Sequence, residues 1–165
     1  AAGGQAGTQS PSPLVQEIPL SFDGPLVLSG AIANGGAMLA AEAMGADFAY
    51  IGSAFIATDE AAAAPAYKQG IIEGHAEEIV YSSFFTGVHG NYLKASIRAA
   101  GLDPDNLPEA DLSKMNFGGD TAAKAWKDIW GSGQGIGAIR TVQPAAAFIE
   151  QLAAEYAAAK TRICG

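Results

Sequence analysis

Pro25-Leu26-Val27-Leu28-Ser29-Gly30-Ala31-Ile32-Ala33-Asn34-Gly35-Gly36, followed one helix length later by Asp47-Phe48-Ala49-Tyr50-Ile51-Gly52-Ser53-Ala54-Phe55, is the stretch that decides the fold. Each part is a short apolar run that ends in small residues. Two such runs separated by a helix-length segment read as consecutive strands of a parallel sheet joined by a right-handed crossover. Both small-residue turns then open at the same end of the sheet. Gly, Ser and Ala there let backbone N–H groups come close to an anion, and a following helix adds the positive end of its dipole. A phosphate is the expected guest. For either turn taken alone, a tight strand-to-helix connection with no ligand is the competing reading.

Working outward, Asn34 is placed to cap a helix whose face of Ala37, Ala40, Ala41 and Met44 is expected on the sheet, with Glu42 turned to solvent and Gly45 as a left-handed stop. The strands are expected near residues 26–29 and 48–51. Upstream, Ser12-Pro13 signals a short helix that Pro19 ends. Downstream, a helix is expected over 61–72 with Pro65 in its first turn, a third strand over 79–83, and a helix over 92–100 stopped by Gly101. Residues 103–117 read as irregular, 121–130 as helix, 131–137 as a second glycine-rich loop, and 141–160 as a long Ala-rich helix.

Composition narrows the function. Of the 165 residues 49% are hydrophobic and only 16% charged, which fits a close-packed α/β protein better than a disordered one. A net charge of −8 argues against binding nucleic acid through its phosphates, although backbone amides still suffice for an isolated phosphate. The one cysteine, Cys164, permits no disulfide within the chain, so a reducing compartment, the cytoplasm, is expected. No apolar run approaches the roughly 20 residues that span a bilayer, and no membrane association is expected.

Two parallel strands and a third candidate cannot cover both faces of an α/β layer, so the sequence reads as part of something larger. Its opening, Ala1-Ala-Gly-Gly-Gln-Ala-Gly7, reads as a chain entered part way through a loop or as a flexible tail. With these features in place, the chain resembles the C-terminal half of the nitronate monooxygenase family, FMN-dependent TIM barrels related to the flavin type of enoyl-acyl-carrier reductase. In that family Gly-Gly-His follows the sixth strand, a Gly-Gly-Ile turn the seventh, and Gly-Thr-(Arg)-Phe the eighth. Here these positions read Gly3-Gly4-Gln5, Gly30-Ala31-Ile32 and Gly52-Ser53-Ala54-Phe55. Tyr67-Lys-Gln69, Phe85-Thr-Gly87 and Gly133-Gln-Gly135 are further landmarks.

The resemblance implies an α/β fold, the strand 6–8 region of a (β/α)8 barrel with an α-rich insertion or cap. Residues 1–60 would belong to the FMN-binding barrel, 61–130 to a helical cap, and 131–165 to a glycine-rich loop and the final barrel helix. It implies FMN, with Gly3, Gly4, Ser29, Gly30, Ala31, Gly52, Ser53 and Gln134 as cofactor-binding residues. The sites after strands seven and eight are also where TIM barrels commonly hold phosphate. A small-molecule substrate, NADH or NADPH, and the N-terminal half of the barrel are the implied partners, with self-association into a homo-oligomer left open.

One position departs from the family. The histidine that takes the proton alpha to the nitro group is replaced by Gln5, and a neutral amide cannot accept that proton at neutral pH. Gln5 can still hydrogen-bond the flavin or a substrate carbonyl. Hydride transfer through a flavin needs no side-chain base in the flavin half-reaction, so a reductase or dehydrogenase-like member acting on a carbonyl-conjugated or acyl-thioester substrate is expected. His89, in Thr86-Gly-Val-His-Gly-Asn91, is the best remaining acid or base, the alternative being a loop or capping role. Gln134 either approaches the flavin or only shapes a turn, and Trp126 and Trp130, four apart, read as core packing. The rival functions are a non-catalytic flavin- or phosphate-binding barrel module and a barrel binding a different phosphorylated metabolite.

Overall fold

The computed structural model describes residues 7–109 and 128–165, and the backbone of residues 4–5. Its parallel unit is built where the opening stretch requires it. β2 (Val27–Ser29) pairs in parallel with β3 (Phe48–Tyr50), Val27 opposite Phe48, Leu28 opposite Ala49 and Ser29 opposite Tyr50. α2 (Gly35–Met44) makes the crossover. Its start is fixed by Asn34, whose side chain accepts a hydrogen bond from the Ala37 N–H at 2.8 Å, and its end by Gly45 at φ 111°. At the entry to the strands the Asp47 carboxylate accepts from the Leu26 N–H at 2.7 Å, which locks the register.

The two faces of this sheet differ. Leu28 packs with Val15 of α1 (Pro11–Glu17), Ala41 and Ala46 in a small closed cluster. On the opposite face Val27, Phe48 and Tyr50 are 52%, 62% and 64% exposed. The helix face differs in part from expectation: Ala41 is buried as expected, but Ala40 is exposed and Gly35 is buried. The cause is a second neighbour. α2 packs along the C-terminal helix, which we number α6 (Ala145–Cys164), so closely that a Cβ on Gly35 would lie 2.2 Å from the Tyr156 nitrogen and 2.4 Å from the Leu152 oxygen. The buried stripe of α2 turns to serve both contacts, and the Gly35 N–H donates to the Glu155 carboxylate at 2.9 Å.

After the single turn α3 (Ser53–Ile56), α4 (Pro65–Glu73) starts at Pro65, later than expected, because a proline serves best at the first helical position. β4 (Ile79–Ser82) lies where a third strand is expected, but it pairs antiparallel with β5 (Gly90–Leu93). The helix expected over 92–100 is therefore a strand followed by the short α5 (Lys94–Ala99). All four residues of β5 are buried, which erases the alternation that marks a strand in sequence. On its other edge β5 pairs with β1 (Gly4–Gln5), Gln5 opposite Gly90 and Gly4 opposite Asn91. The main core joins α3, α4, β4, β5 and α6 through Ile71, Ile79, Leu93, Ile136, Phe148 and Leu152. The described part of the 61–130 segment thus carries an antiparallel hairpin as well as helices. The helix expected over 121–130, with Trp126, lies almost wholly outside the described residues. Among the described residues no helix is long and apolar enough to cross a membrane.

Candidate functional site

Parallel pairing of β2 and β3 sends Ser29-Gly30-Ala31 and Gly52-Ser53 out of the same end of the sheet, and both turns line one cavity of about 250 Å³. Gly131, Gly133 and Gly135 of the second glycine-rich loop form its third wall. Gly30 and Ala31 both have positive φ, 113° and 55°. For Ala31 that backbone is strained, so the turn holds a shape the chain would not choose by itself. The loop meets it backbone to backbone: a Cβ on Gly135 would lie 2.8 Å from the Ala31 carbonyl carbon. The Gly133 N–H donates to the Ser53 hydroxyl at 2.8 Å, tying the loop to the turn after β3.

Two properties of the cavity bear on its guest. First, none of its lining residues is acidic or basic, in a protein of net charge −8; beside the apolar Ile32, Ala33 and Ile56, its polar groups are backbone and the hydroxyls of Ser29, Ser53 and Tyr50. Second, Gly52 has φ −112°, and a Cβ there would meet nothing within 4 Å. Its glycine is required neither by conformation nor by a protein neighbour. Contrary to the expectation of a helix dipole, two of the first three N–H groups of α2 are already used, by Glu155 on Gly35 and by Asn34 on Ala37, and α3 is a single turn. The turns themselves are the polar surface.

The other expected residues fall as follows. Gln134 is exposed and, with His75 and Glu77, lines a wider and shallower depression of about 500 Å³ that shares Ala31 and Gly135 with the first cavity. His89 is exposed and stacks on Tyr81 with ring centroids 4.8 Å apart. The backbone of Gln5, on β1, lies beside Gly90, one residue from His89, so the backbones of the two expected catalytic positions come together at the start of β5. Gly3 lies outside the described residues, as does the side chain of Gln5.

Sequence reasoning gave Gly131 and Tyr67 no role at the cavity. Tyr67, on α4, stacks on Trp130 at 4.9 Å and 12° between planes, and its hydroxyl donates to the Gly131 carbonyl. Burial pushes its phenol up to about 12. The signal was present in the Tyr67-Lys-Gln69 landmark, but nothing in the sequence alone says that its helix faces the glycine loop.

The sequence model of nitronate monooxygenase matches residues 1–155. The chain belongs to the nitronate monooxygenase family. Among solved structures it is similar to nitroalkane oxidase from Streptomyces ansochromogenes, with a TM-score of 0.73 and 30% identity over 98% of this chain and 51% of that one. It is also similar to FabK from Thermotoga maritima, with a TM-score of 0.73 and 22% identity over 99% of this chain and 54% of that one. A mutant of the same FabK gives a TM-score of 0.74 at 24% identity, over 99% of this chain and 51% of that one. At those identities the likeness to FabK is one of fold. No curated protein matches the chain. The chain spans about half the length of the solved structures it matches, and its mixed α/β fold corresponds to part of the TIM barrel of this family.

Proposed function

We propose that this chain is the phosphate-holding part of an FMN-dependent oxidoreductase, with the turns after β2 and β3 as those after strands seven and eight of a (β/α)8 barrel. The observation that carries the reading is the single uncharged cavity shared by the Gly30 and Gly52 turns. Family membership supports the flavin over other phosphorylated guests. Ser29, Gly30, Ala31, Gly52 and Ser53 would hold the phosphate through N–H and O–H donors, which suits an anion better than a cation. FMN, when bound, supplies the acceptor and donor of a hydride at its ring. Gln5, in the position of the family's histidine, donates or accepts a hydrogen bond but removes no proton at neutral pH. A reductase or dehydrogenase-like reaction on a carbonyl-conjugated or acyl-thioester substrate follows more naturally than nitronate oxidation. We further propose that the remaining length of the barrel covers the open face of Val27, Phe48 and Tyr50.

The test is Gly52→Ala. The new methyl enters empty space at an ordinary φ, so the unfolding free energy should stay within about 0.5 kcal/mol of wild type. The same methyl stands where a phosphate must approach the backbone, so FMN binding should weaken by about ten-fold or more. Fluorescence titration of the full-length protein measures the affinity, and mass spectrometry of the ligand released on denaturation identifies it. Unchanged FMN affinity in Gly52→Ala would overturn the assignment of the turns. A released phosphorylated metabolite other than FMN would overturn the flavin, and FMN that NADH, NADPH and acyl substrates all leave unreduced or unoxidised would favour the non-catalytic module.

A further inference from the structure

We infer that Tyr67 is a positioning residue that sets the anion selectivity of the cavity by holding the Gly131–Ser132 peptide in one orientation; the inference rests on the phosphate reading above. Tyr67 lies on α4, outside the cavity lining, and touches the cavity only through its hydroxyl on the Gly131 carbonyl. The next donor along the loop is equally engaged, because the Ser132 N–H donates to the Asn91 carbonyl of β5 at 3.1 Å. One peptide plane is therefore fixed at both ends. Its carbonyl, the negative end of the peptide dipole, is held on α4, while the following Gly133 N–H is taken by Ser53. Gly131 and Gly133 themselves line the cavity.

Glycine makes this control necessary. A glycine lets its peptide turn more readily than other residues because no Cβ restricts it, and a Gly131 carbonyl released from Tyr67 would add an oxygen lone pair to a wall that faces an anion. The stack of Tyr67 on Trp130, the residue immediately before Gly131, fixes the hydroxyl at the point where it prevents that rotation. The phenol, raised to about 12 by burial, stays protonated and remains a donor at every physiological pH.

Tyr67→Phe keeps the ring on Trp130 and removes only the hydroxyl. Full-length wild-type and variant proteins are titrated with FMN and with riboflavin, which lacks the phosphate. The ratio of the two affinities should fall about five-fold in the variant, the worth of one oriented hydrogen bond, with riboflavin binding unchanged. A purely structural role would lower the thermal midpoint and leave the ratio at its wild-type value, and that result overturns the inference. A wild-type protein that does not prefer FMN to riboflavin overturns the phosphate reading itself, and the inference with it. Should Tyr67→Phe fail to fold, amide hydrogen exchange in the wild type decides: FMN should slow exchange at Ser132 and Gly133 where riboflavin does not, and equal effects count against the role.

Discussion

The parallel unit and the antiparallel hairpin are opposite cases of how a strand is buried. In β2 and β3 one side chain faces the core and its neighbours face outward, so Leu28 is 5% exposed while Val27 and Phe48 are more than half exposed. In β5 every residue is buried, because β4 and β1 pair along its edges and the Trp130–Ser132 segment continues the β1 edge through the Leu93 N–H to Trp130 and the Ser132 N–H to Asn91. The hairpin is closed by its own chain. The parallel unit closes on one side through α1 and α2, with α2 packed in turn on α6, and leaves on the other the apolar face that we propose the rest of the barrel covers.

The strongest way to break the comparison is to open the closed side of the parallel unit. Gly35→Ala places a methyl against backbone atoms at 2.2 and 2.4 Å, and backbone cannot turn aside as a flexible side chain can. α2 and α6 must separate, and the unfolding free energy should fall by about 3 kcal/mol or more, the upper range for overpacking. Urea denaturation followed by circular dichroism measures it. A loss below about 1 kcal/mol would mean that the packing of α2 on α6 does not support this side.

The next effect probes the open side. In the chain of 165 residues Phe48→Ala should change stability by about 0.5 kcal/mol or less, since the ring is 62% exposed. In a protein that contains the rest of the barrel, the same substitution should cost about 3 kcal/mol, as for a buried ring. Equal values in the two proteins would show that nothing covers this face. Leu28→Ala, on the closed face, should cost about 2 kcal/mol or more in both proteins.

These contrasts also explain what could be read from the sequence. Asn34 and Gly45 bound α2 through their own chemistry, side-chain capping and left-handed φ, and both act within the local chain. The turns after β2 and β3 were legible for the same reason, since two apolar runs one helix apart have little alternative but parallel pairing. β5 was not legible: Gly90-Asn91-Tyr92-Leu93 has no alternation and no strong β former before Tyr92, and its strand exists because three segments supply its partners. The third wall of the cavity was legible only in part, through the expectation that Gln134 brings its loop towards the flavin. Gly131 is recognisable as a loop glycine, but its approach to the Gly30 and Gly52 turns is set by Tyr67, Ser53 and β5, all distant in sequence.

The smallest effect separates long-range from local ties through two exposed carboxylates. Glu60, just after the parallel unit, accepts from the Ala145 N–H at 2.8 Å and so supplies the missing cap to the first turn of α6, 85 residues away. Asp103, after α5, accepts from the Asn106 side chain at 2.6 Å and from the Asp105 N–H at 3.0 Å, all within one turn of chain. Both carboxyls are held below their ordinary value, Glu60 chiefly by the Ala145 N–H and Asp103 chiefly by the Asn106 amide. A carboxyl lowered in the folded state stabilises it above the unfolded pKa and loses that contribution as pH falls through the folded value. Both groups therefore weaken the protein on acidification from about pH 5 downward, but they should differ in what is lost. Glu60→Gln should flatten the fall of the global unfolding midpoint on acidification below the ordinary carboxylate range, because protonating Glu60 releases a contact that joins two distant elements. Asp103→Asn should leave the global midpoint's pH dependence as in wild type and only speed amide exchange at Asp105. If Asp103→Asn flattens the global profile as much as Glu60→Gln, the turn after α5 is as deeply tied into the fold as the cap on α6, and the distinction between a turn that closes on itself and a cap that joins two distant elements does not stand.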